Sequence, residues 1–421
     1  MSAAILAVGD ELLIGQILDT NSAWIAEQLG DLSITCGEHR QVGDSVDAIA
    51  SAVRELSARH DLLVVCGGLG PTDDDCTREG VARGLDLTLE RSAQVVVSLE
   101  ERFAARGIDM PPSNLRQADL PDGAHVLENP NGTAPGFAVR GGACSVFVVP
   151  GPPYEMRPMV TNHVVPQLLD HHAGSTEVTR PWKRIYKTWG LAEATIGERV
   201  SSALSEACGD EYVGHDCGAV RVGYLARGAD GIWIKLAADR DDLGARAAAA
   251  VERVIGPAIY GTDGDTLESV VLDLCRERGW SLATAESLTA GMVSSRLAAV
   301  PGASDVFVGG VVTYATELKR ALLGVTAEFA VSGECAAQMA AGVAERLGAD
   351  VAISTTGVAG PDTLEGQPPG TVFVGVHLPG EGTIAAELRL PGDRERVREY
   401  TVISALDLLR RRILESNMRS I

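Results

Sequence analysis

The sequence has few aromatic residues and no excess of basic charge, and both absences narrow what the protein can be. Aromatic residues make up only 4% of the 421 residues. The formal net charge is −21, so the chain lacks the basic face that sequence-independent binding to nucleic acid or to an anionic membrane requires. We therefore expect no direct nucleic-acid binding and no membrane partner.

Paired cysteines, a signal peptide and long apolar runs are missing as well. No cysteine belongs to a CxxC pair, which argues against zinc or redox spacing and predicts buried free thiols in a reducing compartment. The N-terminus has no basic segment, and no apolar run is long enough to span a membrane. These absences predict a cytoplasmic protein. The scattered cysteines are Cys36, Cys66, Cys76, Cys144, Cys208, Cys217, Cys275 and Cys335.

What the sequence does contain is alanine, glycine and short runs of Val, Ile and Leu, a mixture typical of α/β layers. At roughly 100–200 residues per domain, the length predicts two or three domains. In residues 1–170, strands alternate with amphipathic helices, which predicts a parallel sheet with helices on both faces. Residues 171–260 predict a small α+β module with hairpin strands at 220–225 and 231–237. The α/β alternation returns over 261–421.

Polar segments follow strand ends in the last region, which is where open α/β sheets bind ligands. The first is Ala285-Glu-Ser-Leu-Thr-Ala-Gly291, where Ser287 follows a strand and opens a helix. A hydroxyl there lies near unpaired backbone N–H groups and the positive helix end, which can stabilise an oxyanion. Taken alone, such a serine is more often a helix cap.

The second segment is Val311-Val-Thr-Tyr-Ala-Thr-Glu-Leu-Lys319. Tyr314 ends a strand, and Lys319 lies about one helical turn further on. A lysine with a lowered pKa beside a tyrosine can activate a serine. Each residue alone is typical of a solvated lysine or a packed ring.

The third segment, Ser354-Thr-Thr-Gly-Val-Ala-Gly-Pro361, is a strand followed by a glycine-rich turn. Its backbone and hydroxyls can bind a phosphate or a carbonyl. Near the start of the last predicted helix, Arg394 and Arg398 lie one turn apart and can pair with a phosphate. The alternative is a salt-bridged helix start with Asp393 and Glu399.

The order and spacing of these segments resemble the C-terminal domain of the CinA family, the nicotinamide mononucleotide deamidases, over roughly residues 265–415. Family members carry Ala-Glu-Ser-Cys-Thr-Gly-Gly, Val-Thr-Tyr followed by Lys, Gly-Ile-Ala-Gly-Pro and Gly-Asp-Arg. The resemblance implies that Ser287 is the nucleophile, that Tyr314 and Lys319 handle protons, and that no metal or other cofactor takes part. The product is then nicotinate mononucleotide. The substrate-binding residues implied are Glu286, Thr289, Thr356, Gly357, Arg394 and Arg398.

This sequence departs from the family pattern at two positions beside the predicted nucleophile. Leu288 replaces the usual cysteine and adds bulk there. Ala290 replaces a glycine, and we expect it to hinder a backbone conformation with positive φ or to narrow the site. Neither change removes a catalytic group.

Four loops at predicted strand ends stand out in the first 170 residues. Glycine-rich turns can wrap a phosphate, and nearby carboxylates can hold a divalent metal, although each loop alone is typical of turns and caps. In the same region, residues 20–29 predict a helix capped by Asn21 or Ser22. The loops are Gly9-Asp-Glu-Leu-Leu13, Gly67-Gly-Leu-Gly-Pro-Thr-Asp-Asp-Asp75, Asn129-Pro-Asn-Gly-Thr-Ala-Pro-Gly136 and Pro150-Gly-Pro-Pro-Tyr-Glu-Met156.

These loops resemble the molybdopterin-binding fold of MoaB and MogA, and more closely the N-terminal domain of CinA, over about residues 3–170. The resemblance implies an ADP-ribose pyrophosphatase that needs a divalent metal ion, with potassium as a candidate activator. The implied metal ligands are Asp10, Glu11, Asp73 and Asp74. The implied ligand-binding residues are Gly68, Gly70, Thr72, Asn131, Thr133, Gly151 and Glu155.

Together these features predict an α/β protein with a molybdopterin-binding-like three-layer domain (1–170), a small α+β linker module (171–260) and a deamidase domain (261–421). The segment Lys187-Thr-Trp-Gly190 resembles the family's linker. The family also implies a homodimer, with nicotinamide mononucleotide and ADP-ribose as small-molecule partners. Two alternatives stay open: a molybdopterin-binding protein, and a non-catalytic interaction protein associated with competence or DNA damage.

Overall fold

The computed structural model describes residues 1–32, 34–172, 182–212, 214 and 218–419. The chain forms two compact units, residues 1–180 and 181–421. Every cysteine in the described residues is a free thiol, half-buried at Cys36 and buried elsewhere, whereas Cys217 lies outside those residues. Across the described part of the chain, no helix combines the length and apolar character needed to cross a membrane.

The first unit is built on short buried strands connected by helices. Its strands are β1 (Ser2–Val8), β2 (Thr35–Val42), β3 (Leu62–Cys66), β4 (Leu89–Arg91), β5 (Asp119–Pro121), β6 (His125–Leu127), β7 (Gly136–Gly141) and β8 (Cys144–Val149). Its helices are α1 (Asp10–Leu13), α2 (Thr20–Asp31), α3 (Val46–Arg59), α4 (Thr77–Gly84), α5 (Ala93–Ala105), α6 (Pro153–Met159) and α7 (Val165–His172), with a π-helical turn at Val160–Val164 and a 3-10 segment at Pro112–Ala118.

The main sheet of this unit has the order β2-β1-β3-β8-β7-β6. Strands β2, β1, β3 and β8 run parallel, whereas β7 and β6 are antiparallel, so the predicted parallel sheet has an antiparallel edge. Side chains alternate across it, with Ala4 and Leu6 in one core and Ala3 and Ile5 in the other. Burial on both faces produces the three layers that the continuous apolar runs predict.

The second unit contains two sheets. Its strands are β9 (Trp182–Thr188), β10 (Val220–Ala226), β11 (Ile232–Ala238), β12 (Ile259–Thr262), β13 (Leu282–Glu286), β14 (Phe307–Val312), β15 (Val351–Gly357), β16 (Thr371–Leu378) and β17 (Gly382–Arg389). Its helices are α8 (Glu193–Cys208), α9 (Asp241–Ile255), α10 (Leu267–Arg276), α11 (Met292–Ala298), α12 (Thr316–Leu323), α13 (Gly333–Leu347) and α14 (Arg394–Arg419). Short 3-10 segments lie at Gly209–Glu211, Gly228–Asp230, Gly256–Ala258 and Ala303–Asp305.

The smaller sheet has the antiparallel order β10-β11-β9-β12 and packs against α8 and α9 around one core. The predicted hairpin is confirmed as β10 and β11. The structure groups this sheet with the C-terminal region in one unit. The predicted boundary at residue 171 falls just before residues that the structure does not describe.

The larger sheet has the order β14-β13-β15-β16-β17. Strand β13 lies between β14 and β15 and runs parallel to both, whereas β16 and β17 are antiparallel. Cores on both faces bury the sheet. The carboxyl ends of β13, β14 and β15 therefore meet at one edge, and each of the three polar segments follows one of these strands.

Helix α14 connects this sheet to the smaller one. Its buried Arg410 is paired with Asp407 and donates hydrogen bonds to the carbonyl oxygens of Pro257 and Ile259, next to β12. Further up the helix, Tyr400 makes an edge-to-face contact with Trp189, with ring centroids 5.5 Å apart. A single helix thus contacts both sheets of the second unit.

Candidate active site

The turn that carries Ser287 begins where the buried strand β13 ends. The Ser287 amide donates to the carbonyl oxygen of Thr355 on the neighbouring strand, at 2.9 Å, which fixes the first residue of the turn to the sheet. The turn then leads through Gly291 into α11. Ser287 is 8% exposed, so its hydroxyl lies in a largely desolvated position.

Glu286, the last residue of β13, lies beneath this turn. Its buried carboxylate accepts hydrogen bonds from the amides of Gly291, Val293 and Ser294 and from the Ser294 hydroxyl, at 2.6 to 3.1 Å. These donors include amides of the first turn of α11, which lack partners inside the helix. The structure thus gives Glu286 a different place from the predicted substrate contact, because the helix start engages its oxygens.

Lys319 is buried against Ser287. Its Nζ donates to Ser287 Oγ at 3.0 Å and to the Thr313 carbonyl oxygen at 3.1 Å. Lys319 is only 3% exposed, and among the described residues no carboxylate forms an ion pair with it. Burial lowers the pKa of Lys319, and the surrounding acidic groups, chiefly Cys335 and Glu365, offset only part of this effect. A lowered pKa increases the share of neutral amine, which can accept the serine proton.

Tyr314 lies at the mouth of the site rather than beside Lys319. The ring is 56% exposed, and its hydroxyl accepts a hydrogen bond from the Arg394 guanidinium at 2.6 Å. Arg394 also donates to the Gly360 carbonyl oxygen at 2.8 Å. Ser287 and Lys319 are therefore in direct contact, whereas the Tyr314 hydroxyl is hydrogen-bonded to Arg394.

These groups surround a cavity of about 400 Å³. Ser287 lies in its wall, and Arg394 supplies a positive charge there. The glycine-rich turn after β15, residues 357–361, forms another part of the wall. A cavity of this size accommodates a small organic ligand. The lining residues are Ser287, Leu288, Tyr314, Gly357, Val358, Ala359, Gly360, Pro361, Asp362, Thr363, Leu364 and Arg394.

The side chains of three predicted substrate-binding residues have partners outside the cavity. The buried Thr289 hydroxyl pairs with that of Thr355 at 2.7 Å, and the Thr356 hydroxyl donates to the Ala330 carbonyl oxygen at 2.6 Å. Arg398 donates to the carbonyl oxygens of Leu288 and Thr289. These side chains are engaged with protein partners, Thr356 and Arg398 through the backbone and Thr289 through another hydroxyl, because a buried polar group needs a partner.

The two departures from the family pattern have different structural consequences. Leu288 is buried, joins a hydrophobic core and also lines the cavity. Ala290 adopts a left-handed backbone conformation with a φ of 51°, and its side chain points to solvent. The turn therefore holds an alanine in a conformation that glycine adopts at a lower energetic cost.

The first unit has its own cavity, of about 350 Å³, at the carboxyl ends of β1, β3 and β8. Glu11 and Gly151, both predicted site residues, lie in its wall together with Asp19 and Asn21. Asn21 was a predicted helix cap. The structure shows that Asp19 caps α2 by accepting from the Ser22 amide at 2.9 Å, which leaves Asn21 to donate to the Gly151 carbonyl oxygen at 2.6 Å.

The four predicted metal ligands are not assembled. Asp10 and Asp44 accept hydrogen bonds from each other's amides, at 3.1 and 2.9 Å, whereas Asp73 is exposed and contacts Arg116. Burial raises the pKa of Asp44, and the nearby charges of Asp10, Glu11 and Asp74 raise it further. In the described ranges, no group of three or more His, Cys, Asp or Glu side chains has a metal-binding arrangement.

The glycine-rich loop after β3 is held by neighbours on both sides. Asp75 accepts hydrogen bonds from the Gly70 amide and from the amide and hydroxyl of Thr72. The fully buried Arg78 donates to the carbonyl oxygens of Leu69 and Gly70 at 2.7 and 2.9 Å. Gly68 has a φ of 66°, and a Cβ there would collide with Thr77 Oγ1. These contacts hold the loop in one conformation. The Thr72 hydroxyl, a predicted ligand contact, donates its hydrogen bond to Asp75.

The remaining predicted residues of this unit lie around the 129–136 loop. Asn131 donates to the Tyr154 carbonyl oxygen at 2.7 Å, and Glu155 accepts from the buried Asn129 at 2.6 Å. Thr133 instead lines a separate cavity of about 160 Å³ beside α5. The structure therefore divides the predicted ligand-binding set between two places.

Sequence reasoning missed several contributors to both sites. Thr313 supplies the second hydrogen-bond partner of Lys319 through a backbone carbonyl, which no side-chain pattern can reveal. Asp362 lies in the wall of the larger cavity, directly after the Gly-Pro pair of the third segment, and this adjacency was the available signal. Asp44 follows the end of β2, whereas Arg78 lies in the first turn of α4, and the charge of each was the available signal.

Comparison with known proteins assigns both halves of the chain. Residues 264–413 match the family described as "CinA C-terminal domain", and residues 4–170 match the family described as "Probable molybdopterin binding domain". A CinA-like protein of Frankia casuarinae is 43% identical over 425 residues, covering 98% of this chain and 96% of that protein. A CinA-like protein of Dictyoglomus turgidum is 35% identical over 424 residues, covering 98% of this chain and 100% of that protein.

A solved structure of a CinA protein, from Thermoplasma acidophilum, is 32% identical, covers 38% of this chain and 96% of that chain, and has a TM-score of 0.37. The assignment rests on the family matches and on the full-length relatives. They confirm the predicted α/β architecture with a MoaB/MogA-like first domain. The chain therefore belongs to the CinA family.

Proposed function

We propose that the second unit hydrolyses the carboxamide of nicotinamide mononucleotide, with Ser287 as the nucleophile and Lys319 as the proton acceptor. The observation that carries this proposal is the 3.0 Å contact between Lys319 Nζ and Ser287 Oγ in a buried position. A surface lysine would be protonated and solvated at neutral pH. A buried lysine without a paired carboxylate in the described residues is suited to exchange protons.

The reaction has two steps, acylation of Ser287 and hydrolysis of the resulting ester. Ser287 Oγ forms a bond to the carboxamide carbon while its proton passes to neutral Lys319, and the carbon–nitrogen bond then breaks as Lys319 returns the proton to departing ammonia. A water molecule attacks the resulting ester, Lys319 takes a proton from it, and the serine oxygen leaves with that proton. The net change consumes one water and yields nicotinate mononucleotide and ammonia.

The cavity suits a phosphorylated substrate. The Arg394 guanidinium lies in its wall, and arginine recognises phosphate through parallel N–H donors. Tyr314 holds one edge of that guanidinium and the Gly360 carbonyl oxygen engages another nitrogen, so the charge is fixed in place before a ligand arrives. We assign Arg394, and not Arg398, to the substrate phosphate, because Arg398 is committed to the backbone of the nucleophile turn.

Ammonia release from nicotinamide mononucleotide tests the proposal, with a chelator present throughout. Wild-type protein should release ammonia, and Ser287→Ala should abolish the release. The matched control is Ser295→Ala, which removes an exposed hydroxyl from α11 and should keep wild-type activity. Absence of release from folded wild-type protein would refute the substrate assignment, and release by Ser287→Ala would refute the nucleophile.

For the first unit we propose binding of ADP-ribose in the cavity at the ends of β1, β3 and β8, with pyrophosphate hydrolysis as its activity. The strand-end glycines Gly67 and Gly151 and the carboxylate of Glu11, all in the cavity wall, support this. Oxygen donors suit a hard divalent cation, but the described carboxylates are not arranged as a metal site. Calorimetric titration of ADP-ribose, with and without magnesium, tests the binding. No heat in either condition would refute it.

A further inference from the structure

An arginine on α14 holds the turn that carries Ser287 through hydrogen bonds. Arg398 Nε donates to the Leu288 carbonyl oxygen at 2.9 Å, and its terminal nitrogen donates to the Thr289 carbonyl oxygen at 3.2 Å. Arg398 is half-buried and is separate from the cavity lining. One guanidinium therefore fixes two consecutive peptide groups directly after the nucleophile.

Glu286 holds the same turn from the sheet side, because its carboxylate accepts hydrogen bonds from the amides of Gly291, Val293 and Ser294. Its remaining amides are mostly engaged: Ser287 donates to the sheet and Ala290 donates to the Ser287 carbonyl oxygen. Among the described residues, the structure provides no acceptor for the Leu288 and Thr289 amides. Unpaired amides next to a nucleophile are the groups that stabilise an oxyanion.

Peptide geometry couples Arg398 to these amides. A trans peptide is planar, so its carbonyl and N–H groups point in opposite directions. By holding the Leu288 carbonyl, Arg398 directs the Thr289 N–H away from itself. The Ser287 carbonyl oxygen accepts a hydrogen bond from the Ala290 amide. The Leu288 N–H belongs to the same peptide group as that carbonyl, so it points away from Ala290. The turn thus presents its two unpaired donors in fixed directions.

We propose that Arg398 is a positioning residue, which holds the 288–289 peptide so that the amides of Leu288 and Thr289 form the oxyanion hole for Ser287. This inference rests on the proposed nucleophile and goes beyond the substrate assignment. Arg398 acts through the backbone and touches no substrate. Its loss should therefore lower kcat and leave KM within about twofold. A single oxyanion donor contributes on the order of 100- to 1000-fold in kcat.

A fluorophosphonate probe tests this independently of the natural substrate. Ser287 Oγ attacks the phosphorus, the phosphorus–fluorine bond breaks, fluoride leaves and the serine proton passes to Lys319, so the developing charge on the phosphoryl oxygen needs the same donors. Labelling rates would be measured for wild type, Arg398→Ala, Arg398→Lys and the control Arg396→Ala. Arg396 lies on the exposed side of α14 and contacts Tyr400.

The expected result is labelling at least about 100-fold slower in Arg398→Ala, wild-type rates in Arg396→Ala, and partial recovery of Arg398→Ala by added guanidinium. The pH dependence should stay that of wild type, because Lys319 is untouched. Wild-type labelling by Arg398→Ala would overturn the inference. Should that variant unfold, Arg398→Lys decides by the same criterion, since lysine keeps the charge but lacks the fork that spans both carbonyls.

The two proposals fail in distinguishable ways. Wild-type protein that is labelled at Ser287 but releases no ammonia would refute the substrate, while the labelling rates of the variants still decide the role of Arg398. Wild-type protein that is not labelled at Ser287 would overturn both the nucleophile and the inference. Loss of labelling in Ser287→Ala confirms the labelled position.

Discussion

Replacing Ala290 with glycine should stabilise the second unit while leaving its active site intact. A non-glycine residue in the left-handed region costs about 1–2 kcal/mol, and glycine gives back about 0.5–1 kcal/mol through the entropy of the unfolded chain. The Ala290 side chain is exposed, so its removal sacrifices little packing. The difference is a net gain of about 1 kcal/mol, which for a unit of this size raises Tm by about 2–4 °C.

Thermal unfolding followed by tryptophan fluorescence provides the assay. Of the 5 tryptophans, only Trp24 lies in the first unit, so the signal reports mainly on the second. The matched control is Ala298→Gly in α11, where backbone angles are helical and glycine should cost about 1 kcal/mol. If both substitutions lower Tm equally, the strain assigned to Ala290 is absent and the reasoning fails.

Three further predictions concern the site itself. Lys319→Met should reduce ammonia release by at least about 100-fold. Burial lowers the pKa of Lys319 from 10.5, so the unfolded wild-type protein binds this proton more tightly than the folded protein does. Urea unfolding should therefore show the variant gaining stability relative to wild type as the pH falls from 10.5 through the lowered pKa. Arg394→Ala should raise KM for nicotinamide mononucleotide by at least about tenfold while changing KM for the unphosphorylated riboside far less, and equal effects on both would contradict phosphate binding. Gly357→Ala should destabilise the protein by about 1–3 kcal/mol in urea unfolding, because its Cβ would lie 2.5 Å from the Thr371 carbonyl oxygen. An unchanged unfolding midpoint would show that β15 and β16 move apart at little cost, and would contradict this prediction.

The sequence predicted the layers well because they depend on local patterns. The continuous apolar run at β3 identified a buried strand, and the alternation at β10 and β11 identified a hairpin. The antiparallel strands at the sheet edges were harder. Strand β17 alternates between half-buried and exposed residues, and its partner is chosen by the fold rather than by its own composition.

The site shows the same division. Ser287 and Lys319 are 32 residues apart and meet because parallel strands end at one edge, which the motif order predicts. The partners of Arg398 could not be predicted, since they are backbone carbonyls that expose no side-chain signature. Glu286 was misplaced for a related reason: a carboxylate next to a nucleophile suggests a substrate contact, whereas the unpaired amides of the following helix compete for it.

Three of the sequence predictions stay open for direct measurement. The homodimer can be examined by sedimentation, the cytoplasmic location by fractionation, and the effects of divalent metal ions and potassium by activity assays on the first unit.

Helix α14 makes the candidate site dependent on a part of the chain that supplies none of the proposed reacting groups. Its first turns place Arg394 in the cavity and Arg398 against the nucleophile turn, while its later turns are anchored to the carbonyl oxygens of Pro257 and Ile259 through Arg410. A helix transmits a shift at one end to the other, because its hydrogen-bonded backbone resists local compression. Engineering that transplants the larger sheet and α14 without the smaller sheet must therefore provide new acceptors for Arg410, or the positions of Arg394 and Arg398 relative to the Ser287 turn are lost together with that anchor.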